Sequence, residues 1–523
     1  MSTATWTDRA PGQERALGHW AWPATLSFAL LLAIVSGGSS QADSWAFLLF
    51  RLICIGILGV ALLRLLSTKL ARTEVLALLL VIAAVALVAL QLVPLPFALF
   101  ESLPGRAPIA KIFSIAGIPP QMMPMTLSPE ATLACILTLL PPIAFFVALL
   151  TSGQRARWML VGAILLGSIA NTFLGLAQRL QGAKGGLYLY DMPFYGSATG
   201  FFSNRNNFAM LLCVAIPLTW ALTQKLIRGR VLPPVAALAG GAVMMLIILM
   251  GLAASGSRSG ILLGMLALTL STLMVLVTPQ GSDRGARRGQ RAKMSVFAIL
   301  GAAFIIGQFG MTGLLRIADS DPLTDSRSLM RRTTISAAAE YFPLGSGFGT
   351  FRPVYGMHEQ PSAMERTYVN HAHNDWLELW LEGGVPAAIL MACFLALFAY
   401  QTLRVWNPRG AYAEQVLPRA ASIVALVLML HSLVEFPLRM PSLACIFAGM
   451  MAILMAAPAA RQPKPQQRQP SQRRRKDHGE THPERPAPPP AATTPPVFRV
   501  PRGDDDLRPR DGAGAPTERL TRR

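Results

Sequence analysis

Long apolar stretches recur along the chain and alternate with polar intervals. A helix needs about 20 apolar residues to cross a bilayer, and stretches of roughly that length recur here. We therefore predict an all-α polytopic membrane protein with about twelve transmembrane helices. The predicted spans cover approximately residues 22–35, 45–66, 75–93, 131–150, 158–177, 207–223, 235–252, 261–277, 295–309, 385–403, 420–436 and 442–456.

Basic residues follow every second predicted span, after spans two, four, six, eight, ten and twelve. Because Lys and Arg in short loops mark the cytoplasmic side, both termini are expected in the cytoplasm. Residues 1–21 are then a cytoplasmic N-terminus, residues 22–456 the membrane domain, and residues 457–523 a disordered, basic, proline-rich tail. Residues 310–384 are expected to form a large, partly helical periplasmic loop before helix ten, and residues 94–130 a proline-rich loop rather than a helix.

Two terminal segments have alternative interpretations. The small residues 36–42 resemble a signal-peptide cleavage site, but a second span follows them at once, which favours a retained first helix. The tail could tether the protein to a membrane leaflet or a partner, or it could be a solvated appendage.

Composition and charge agree with a membrane protein. Of the 523 residues, 52% are hydrophobic and 14% are charged, whereas about 25% of residues are charged in an average soluble protein. The net charge of +20 could indicate nucleic-acid binding, but the basic loops are explained by topology, so no nucleic-acid partner is expected. All five cysteines lie in apolar runs without a CxxC pair, so neither a disulfide framework nor a zinc site is indicated.

Residues 371–384 end the longest polar interval and combine two histidines, an asparagine and three carboxylates. Asp375 followed by Glu378 predicts a capping box, with a short helix that begins at Trp376 and ends at Gly383-Gly384.

His373 and Asn374 would lie directly before the N-terminus of this helix. The partial positive charge there disfavours an imidazolium and favours anions. His373 is therefore expected to be neutral, able to accept a proton and close to a phosphate site. The alternative is that His371 and His373 are loop histidines with ordinary hydrogen bonds.

Further polar groups should converge on the outer face. They are Arg205, Arg258, Arg316, Arg327, Arg331, Arg332, His431, Glu435 and Arg439. The last three are spaced by four residues and should share one helix face, although a proline should bend that helix. Ionisable residues at the edge of a span are candidate functional residues. The alternatives are a structural ion pair between Glu435 and Arg439, a headgroup anchor at Arg258 and solvated loop charges at the Arg331-Arg332 pair.

A neutral base beside several arginines suits glycosyl transfer from a lipid diphosphate. His373 would deprotonate an acceptor hydroxyl, which attacks the sugar carbon that carries the diphosphate. Arginine forks match phosphate oxygens and stay charged, so they can stabilise the leaving diphosphate; no metal or other cofactor is expected. A retaining hydrolase would need paired carboxylates, whereas Glu378 and Glu382 are expected to serve in building the helix.

Five short motifs carry a resemblance to a known family. They are His373-Asn374 followed by nine residues and Gly384, Gly200-Phe-Phe-Ser-Asn-Arg-Asn-Asn-Phe208, Ser257-Arg-Ser-Gly260, Pro343-Leu-Gly-Ser-Gly-Phe-Gly349 and His431-Ser-Leu-Val-Glu-Phe-Pro-Leu-Arg439. The first resembles the H-[NSQ]-x9-G signature of the bacterial O-antigen ligase and O-antigen polymerase superfamily. The resemblance covers roughly residues 131–456.

The resemblance implies an enzyme that moves glycans from undecaprenyl diphosphate to an acceptor, with inversion at the anomeric carbon. By resemblance, His373 is the general base, and Arg258 and Arg327 bind the diphosphate. Arg205 is a further binding candidate, although several relatives carry proline near that position. The predicted diphosphate- and glycan-binding set is completed by Asn374, His371, His431, Glu435 and Arg439.

The favoured activity is polymerisation of undecaprenyl-diphosphate-linked repeat units of a surface or secreted polysaccharide, on the periplasmic face of a bacterial inner membrane. Span eleven resembles exopolysaccharide polymerases more than ligases. One alternative is a ligase that transfers finished glycan to lipid A–core or to a protein. Another is a flippase for lipid-linked glycans or another transporter, although no internal repeat supports it. Expected partners are the lipid-linked glycan, its acceptor, the bilayer and other polysaccharide assembly proteins.

Overall fold

A computed structural model describes most of the chain between residues 11 and 456. The ranges outside the description are 1–10, 37, 39–44, 119, 184, 191–195, 278–300, 302–321, 362–363, 365–367, 408–414 and 457–523. Predicted span nine, the basic loop that follows span eight, Arg316 and the C-terminal tail therefore lie outside the described residues.

The described chain is almost entirely helical. Its α-helices are α1 Pro11–Ser36, α2 Trp45–Ser67, α3 Arg72–Leu90, α4 Phe97–Ser102, α5 Ala107–Ile115, α6 Pro129–Leu150, α7 Gln154–Gln181, α8 Arg205–Arg228, α9 Pro234–Ser255, α10 Arg258–Val277, α11 Pro322–Glu340, α12 Phe351–His358, α13 Asp375–Trp406, α14 Val416–His431 and α15 Pro441–Met455. A 3-10 helix covers Pro437–Arg439, and the strands β1 Pro94–Pro96 and β2 Met122–Pro124 pair antiparallel.

The predicted spans match helices of the structure. Within the described residues, seven helices are long and apolar enough to cross a membrane: α2, α3, α6, α7, α8, α9 and α13. Four shorter apolar helices, Trp20–Ser36, Arg258–Met274, Val416–His431 and Pro441–Met455, correspond to predicted spans one, eight, eleven and twelve. The prediction of an all-α polytopic membrane protein is confirmed.

The N-terminal segment and the interval 94–130 contain more helix than the sequence predicted. Helix α1 begins at Pro11, before its apolar part. The interval 94–130 was expected to be a loop, which is wrong, because it holds α4 and α5 beside the β1–β2 ribbon. Pro96 occupies the N-cap position of α4, and α5 carries a proline in its first turn. A proline there costs no helical hydrogen bond, so these prolines start short helices instead of preventing them.

Helix α8 is the most enclosed of the long apolar helices. Over the most apolar 18 residues of α8, 72% of the residues are buried inside the protein, compared with 22% over the corresponding residues of α3. Helix α8 packs against α7, α9, α10 and α14. Its 24 residues extend over about 36 Å at 1.5 Å per residue, so its two ends lie far apart.

Tryptophan and basic side chains meet at the C-terminal end of α8. Cation–π contacts join Lys225 to Trp158 at 4.3 Å, Arg155 to Trp20 at 4.4 Å and Arg64 to Trp22 at 4.8 Å. The Trp22 indole also donates a hydrogen bond to the hydroxyl of Ser152, over 2.9 Å. Basic residues from the loops after predicted spans two, four and six thus gather at one end of the helices, as loops on one membrane side should.

Candidate functional site

His373 lies directly before helix α13 and contacts a buried carboxylate. Its backbone is in the left-handed region, with φ of 49°. Histidine adopts this conformation more readily than most residues with a Cβ atom, and such strain is often retained at functional sites. The His373 Nδ1 atom lies 3.1 Å from Oε2 of Glu435, and its side chain is 26% exposed.

Asn374 caps helix α13. Its Oδ1 atom accepts a hydrogen bond from the backbone N–H of Leu377 over 3.0 Å. The predicted capping box at Asp375 is therefore wrong: the N-cap is Asn374, the helix begins at Asp375 itself, and the residue three positions after Asn374 is Leu377, which cannot return a side-chain hydrogen bond. The Asp375 carboxylate instead accepts a hydrogen bond from the Ser432 hydroxyl over 2.8 Å, which ties the start of α13 to the end of α14. An amide oxygen caps a helix as well as a carboxylate does, which leaves the acid free for this contact.

The predicted break at the end of the short helix is confirmed at Gly384. The residue has φ of 55° and ψ of −146°, so two helices meet there at a kink. A Cβ atom at this position would lie 2.1 Å from the carbonyl oxygen of Pro343, which only glycine can avoid. Gly345 makes a similar approach, because a Cβ there would lie 2.5 Å from the oxygen of Glu382. The glycine-rich motif that begins at Pro343 thus packs against the kink.

Glu435 is the centre of the cluster that includes His373. Its side chain is fully buried, and its Oε1 atom accepts a hydrogen bond from Nδ2 of Asn206 over 2.5 Å and forms an ion pair with Arg327. Nδ2 of Asn204 is 3.5 Å from Oε2. Burial alone would raise the pKa of Glu435, but the hydrogen bond to His373 and the positive charge of Arg327 outweigh it and lower the pKa to about 2. Glu435 is therefore ionised.

Arg205 and Arg258 lie at the N-termini of α8 and α10, next in the sequence to Asn206 and Ser257, which link these helix ends to Glu435. Arg205 lies between Asn204 and Asn206 at the start of α8, with one guanidinium nitrogen 4.0 Å from where a Cβ of Gly256 would lie. The Ser257 hydroxyl donates a hydrogen bond to Oδ1 of Asn206 over 2.7 Å. Arg258 follows Ser257 in the sequence and is the first residue of α10.

Arg439 is the centre of a second cluster. Its Nη2 atom lies 3.1 Å from Glu378 and 3.4 Å from Glu382, and its Nε atom lies 3.8 Å from Asp375. Glu382 also accepts the backbone N–H of Phe351 over 3.1 Å. Burial would lower the pKa of Arg439, but Glu378 and Glu382 outweigh it and raise the pKa above its ordinary value. Glu378 and Glu382, which were expected to build the helix, thus also form ion pairs with Arg439, whose side chain is 25% exposed.

His371 belongs to this second cluster. Its Nδ1 atom lies 3.0 Å from Oε1 of Glu378, and the backbone N–H of Ala372 donates to the other oxygen over 3.0 Å. The two clusters meet at Phe436, whose ring centroid is 4.8 Å from that of His371 and 4.9 Å from that of His373. Each histidine therefore has its own carboxylate partner.

His431, Glu435 and Arg439 do not share one helix face as predicted. Helix α14 ends at His431, Glu435 lies in the turn that follows, and Arg439 ends the 3-10 helix. Pro437, which lacks an N–H group, begins that 3-10 helix. The alternative of a Glu435–Arg439 ion pair is also not formed, because each residue pairs in a different cluster. His431 is fully buried, and neither ring nitrogen has a hydrogen-bond partner in the described residues.

Sequence reasoning missed the partners of the two histidines. Glu378 and Glu382 are four residues apart and lie on one helix face, a spacing compatible with a shared cation, but their partner Arg439 is distant in the sequence. In the sequence, Asn206 was noted only as part of the motif that runs from Gly200 to Phe208, with no role assigned to it. Within the described residues, no group of three or more histidine, cysteine or acidic side chains is arranged to hold a metal ion.

Part of the chain, including His371 and His373, is similar to a known protein family. Residues 243–392 match the family model described as O-antigen ligase. This match supports the O-antigen ligase and polymerase superfamily. Arg258, Arg327, His371 and His373 lie within the matched residues, whereas Glu435 lies beyond them. A search of curated proteins found no match to this chain. At family level it is a membrane enzyme of the O-antigen ligase or polymerase type.

Proposed function

We propose that this protein polymerises oligosaccharide repeat units carried on undecaprenyl diphosphate, with His373 as the general base. The observation that carries the proposal is the hydrogen bond between His373 Nδ1 and Glu435. An ionised carboxylate can only accept a hydrogen bond, so Nδ1 must carry the proton. In the neutral imidazole the lone pair then lies on Nε2, for which no hydrogen-bond partner is found among the described residues.

The reaction proceeds by a single displacement. Nε2 of His373 accepts the proton of the acceptor hydroxyl while the hydroxyl oxygen forms a bond to the anomeric carbon. The bond from that carbon to the diphosphate oxygen breaks, and the diphosphate leaves with the electron pair. Attack opposite the leaving group inverts the anomeric carbon. Glu435 stabilises the imidazolium that forms and holds the ring in position, as a carboxylate does in a catalytic triad.

Arg258, Arg327 and Arg205 are proposed to bind the diphosphate. Guanidinium groups offer two parallel N–H donors to phosphate oxygens and remain charged at all physiological pH values. The starts of α8 and α10 add the partial positive charge of two helix N-termini. Arg327 is also an ion-pair partner of Glu435, so it would link the base to the leaving group.

The remaining predicted residues are proposed to position these groups. Asn374 caps α13 and thereby fixes the backbone next to His373. His371 and Arg439 belong to the second cluster, which joins the start of α13 to the 3-10 helix. The burial of His431 next to the Glu435 turn favours support of that carboxylate over direct contact with the substrate.

The periplasmic location of this site follows from the proposed topology. The site lies at the N-terminal end of α8, and the tryptophan-flanked basic residues lie at its other end. Reporter fusions at Arg288 and at Ser362, both outside the described residues, should report opposite sides of the inner membrane. Reporters on the same side would remove the argument that the site faces the periplasm.

Glycan analysis of a deletion strain tests the polymerase assignment. Loss of a polymerase leaves single repeat units on the lipid carrier. Loss of a ligase instead leaves long chains on the periplasmic carrier, and loss of a flippase leaves lipid-linked units in the cytoplasm. Accumulation of long carrier-linked chains would replace our proposal with the ligase alternative.

A further inference from the structure

A concave surface lies beside the segment that leads to His373. A cleft of about 340 Å³ is lined by residues of α12 and of the following segment, among them Arg352, Tyr355, Glu359, Tyr368 and Val369. Small-molecule sites begin at about this size, at roughly 300 Å³. None of these residues is used in the glycosyl transfer described above.

The cleft combines aromatic surface with charged groups. Tyr355 is a fixed wall, because it is 4% exposed and stacks on Phe351 with ring centroids 5.4 Å apart. Tyr368 is 53% exposed. The guanidinium carbon of Arg352 lies 3.7 Å from the centroid of the Tyr368 ring and so restricts its motion. Glu359 adds a hydrogen-bond acceptor at the edge of the cleft.

This combination fits a saccharide. One face of a pyranose ring carries C–H groups and packs against an aromatic face, and its edge carries hydroxyls that both donate and accept hydrogen bonds. Tyrosine rings supply the flat apolar surface with a polar tip. Arginine supplies donors and glutamate supplies acceptors for the hydroxyls. A phosphate ligand is disfavoured, because Glu359 would repel it.

Chain connectivity places the cleft close to the proposed base. Tyr368 and His373 are five residues apart, so even a fully extended chain would separate them by at most about 18 Å. An oligosaccharide that reacts at His373 would therefore have sugars within reach of Tyr368. We infer that this cleft binds a sugar of the glycan substrate away from the reacting bond, an inference that rests on the proposed glycan-transfer function.

Binding of a free oligosaccharide tests the inference without using catalysis. The probe is the repeat unit released by mild acid from the lipid carrier of the same strain, titrated against the full-length protein in detergent. Tyr368→Ala should weaken binding about tenfold, whereas Tyr368→Phe should keep most of the affinity because the ring remains. Arg352→Gln should weaken binding less than Tyr368→Ala. Both residues are exposed, so these variants should fold.

Met357→Ala is the matched control, because Met357 is 58% exposed on the same helix but does not line the cleft. It should bind the probe like the wild type. Unchanged binding by Tyr368→Ala, or no binding by the wild type, would overturn the inference. If His373→Ala still makes polymer while Tyr368→Ala loses affinity, the proposed base is wrong and the saccharide site stands.

Both the donor and the acceptor glycan carry sugars that could bind in this cleft. Kinetic measurements show which of the two glycans occupies it. In membranes supplied with lipid-linked single units and preformed polymer, Tyr368→Ala should raise the KM for one of the two and leave kcat unchanged at saturation. A raised KM for single units or for polymer assigns the cleft to the corresponding glycan. A change in kcat alone, with both KM values unchanged, would contradict a binding role.

Discussion

The His371–Glu378 and His373–Glu435 pairs consist of the same groups and pack against the same ring, Phe436, but their surroundings have opposite charge. Around Glu378 lie two further carboxyl groups and a single guanidinium, that of Arg439. Around Glu435 the structure places Arg327 and two asparagine amides and no second carboxyl group among the described contacts. An anionic leaving group would be repelled by the first cluster and attracted by the second.

This difference explains why two adjacent histidines can have separate roles. The carboxyl-rich cluster pairs with its own cation, Arg439, and joins three chain segments, which is a structural role. The Glu435 carboxylate is already hydrogen-bonded to Asn206 and His373, so Arg327, which is 35% exposed, can also contact a ligand. Both histidines are about equally exposed, at 19% and 26%, so exposure does not separate the roles; charge does.

The largest expected effect is the fall in the rate of polymer formation caused by Glu435→Gln. The glutamine amide can donate to His373 Nδ1, which moves the imidazole proton to Nε2 and removes the lone pair that accepts the proton of the hydroxyl. The rate of polymer formation should fall by about 10² to 10⁴. The matched substitution Glu378→Gln in the other cluster should leave the rate per folded molecule within about threefold. Equal losses in the two variants would remove the distinction between the pairs.

Arg439→Leu should have the next largest effect, and on stability. The substitution leaves the buried carboxyl groups of Glu378 and Glu382 and the partly exposed Asp375 without their cation. Removal of one partner of a buried ion pair typically costs about 3 to 5 kcal/mol. We expect little folded protein in membranes and early thermal unfolding in detergent. Arg327→Leu is the comparison in the other cluster, where Glu435 keeps its hydrogen bonds to Asn206 and His373. It should retain more folded protein, and the reverse order would contradict the structural role of the Arg439 cluster.

A smaller effect is expected for Arg258→Lys. An ammonium group keeps the charge but cannot reproduce a two-pronged phosphate contact. The loss of one charge-assisted hydrogen bond, about 1.5 to 3 kcal/mol, lowers the rate by about tenfold to a hundredfold. The control is Arg404→Lys in the last turn of α13, away from the site, which should have no effect. Full activity of Arg258→Lys would instead favour a headgroup anchor at this position.

The sequence predicted the helices better than the polar contacts. Apolar stretches are local signals, so eleven of the twelve spans could be located and compared with helices. The Gly384 kink was also predictable, because glycine pairs mark helix ends. The pairing of His371 with Glu378 and of Arg439 with Glu382 was not, because it depends on how α13 packs against the 3-10 helix. Spacing by four residues predicted a shared face for Glu435 and Arg439, but Pro437 changed the local geometry.

The central claim is that His373, and not His371, is the general base. It is tested most directly by polymer length in membranes that contain equal amounts of folded His373→Ala, His371→Ala and wild-type protein. We predict that His373→Ala lowers the rate by about 10² to 10⁴ and leaves single repeat units, while His371→Ala, at equal folded amounts, makes polymer of normal length. Full-length polymer from His373→Ala, with none from His371→Ala, would show that the base belongs to the carboxyl-rich cluster and would contradict the account.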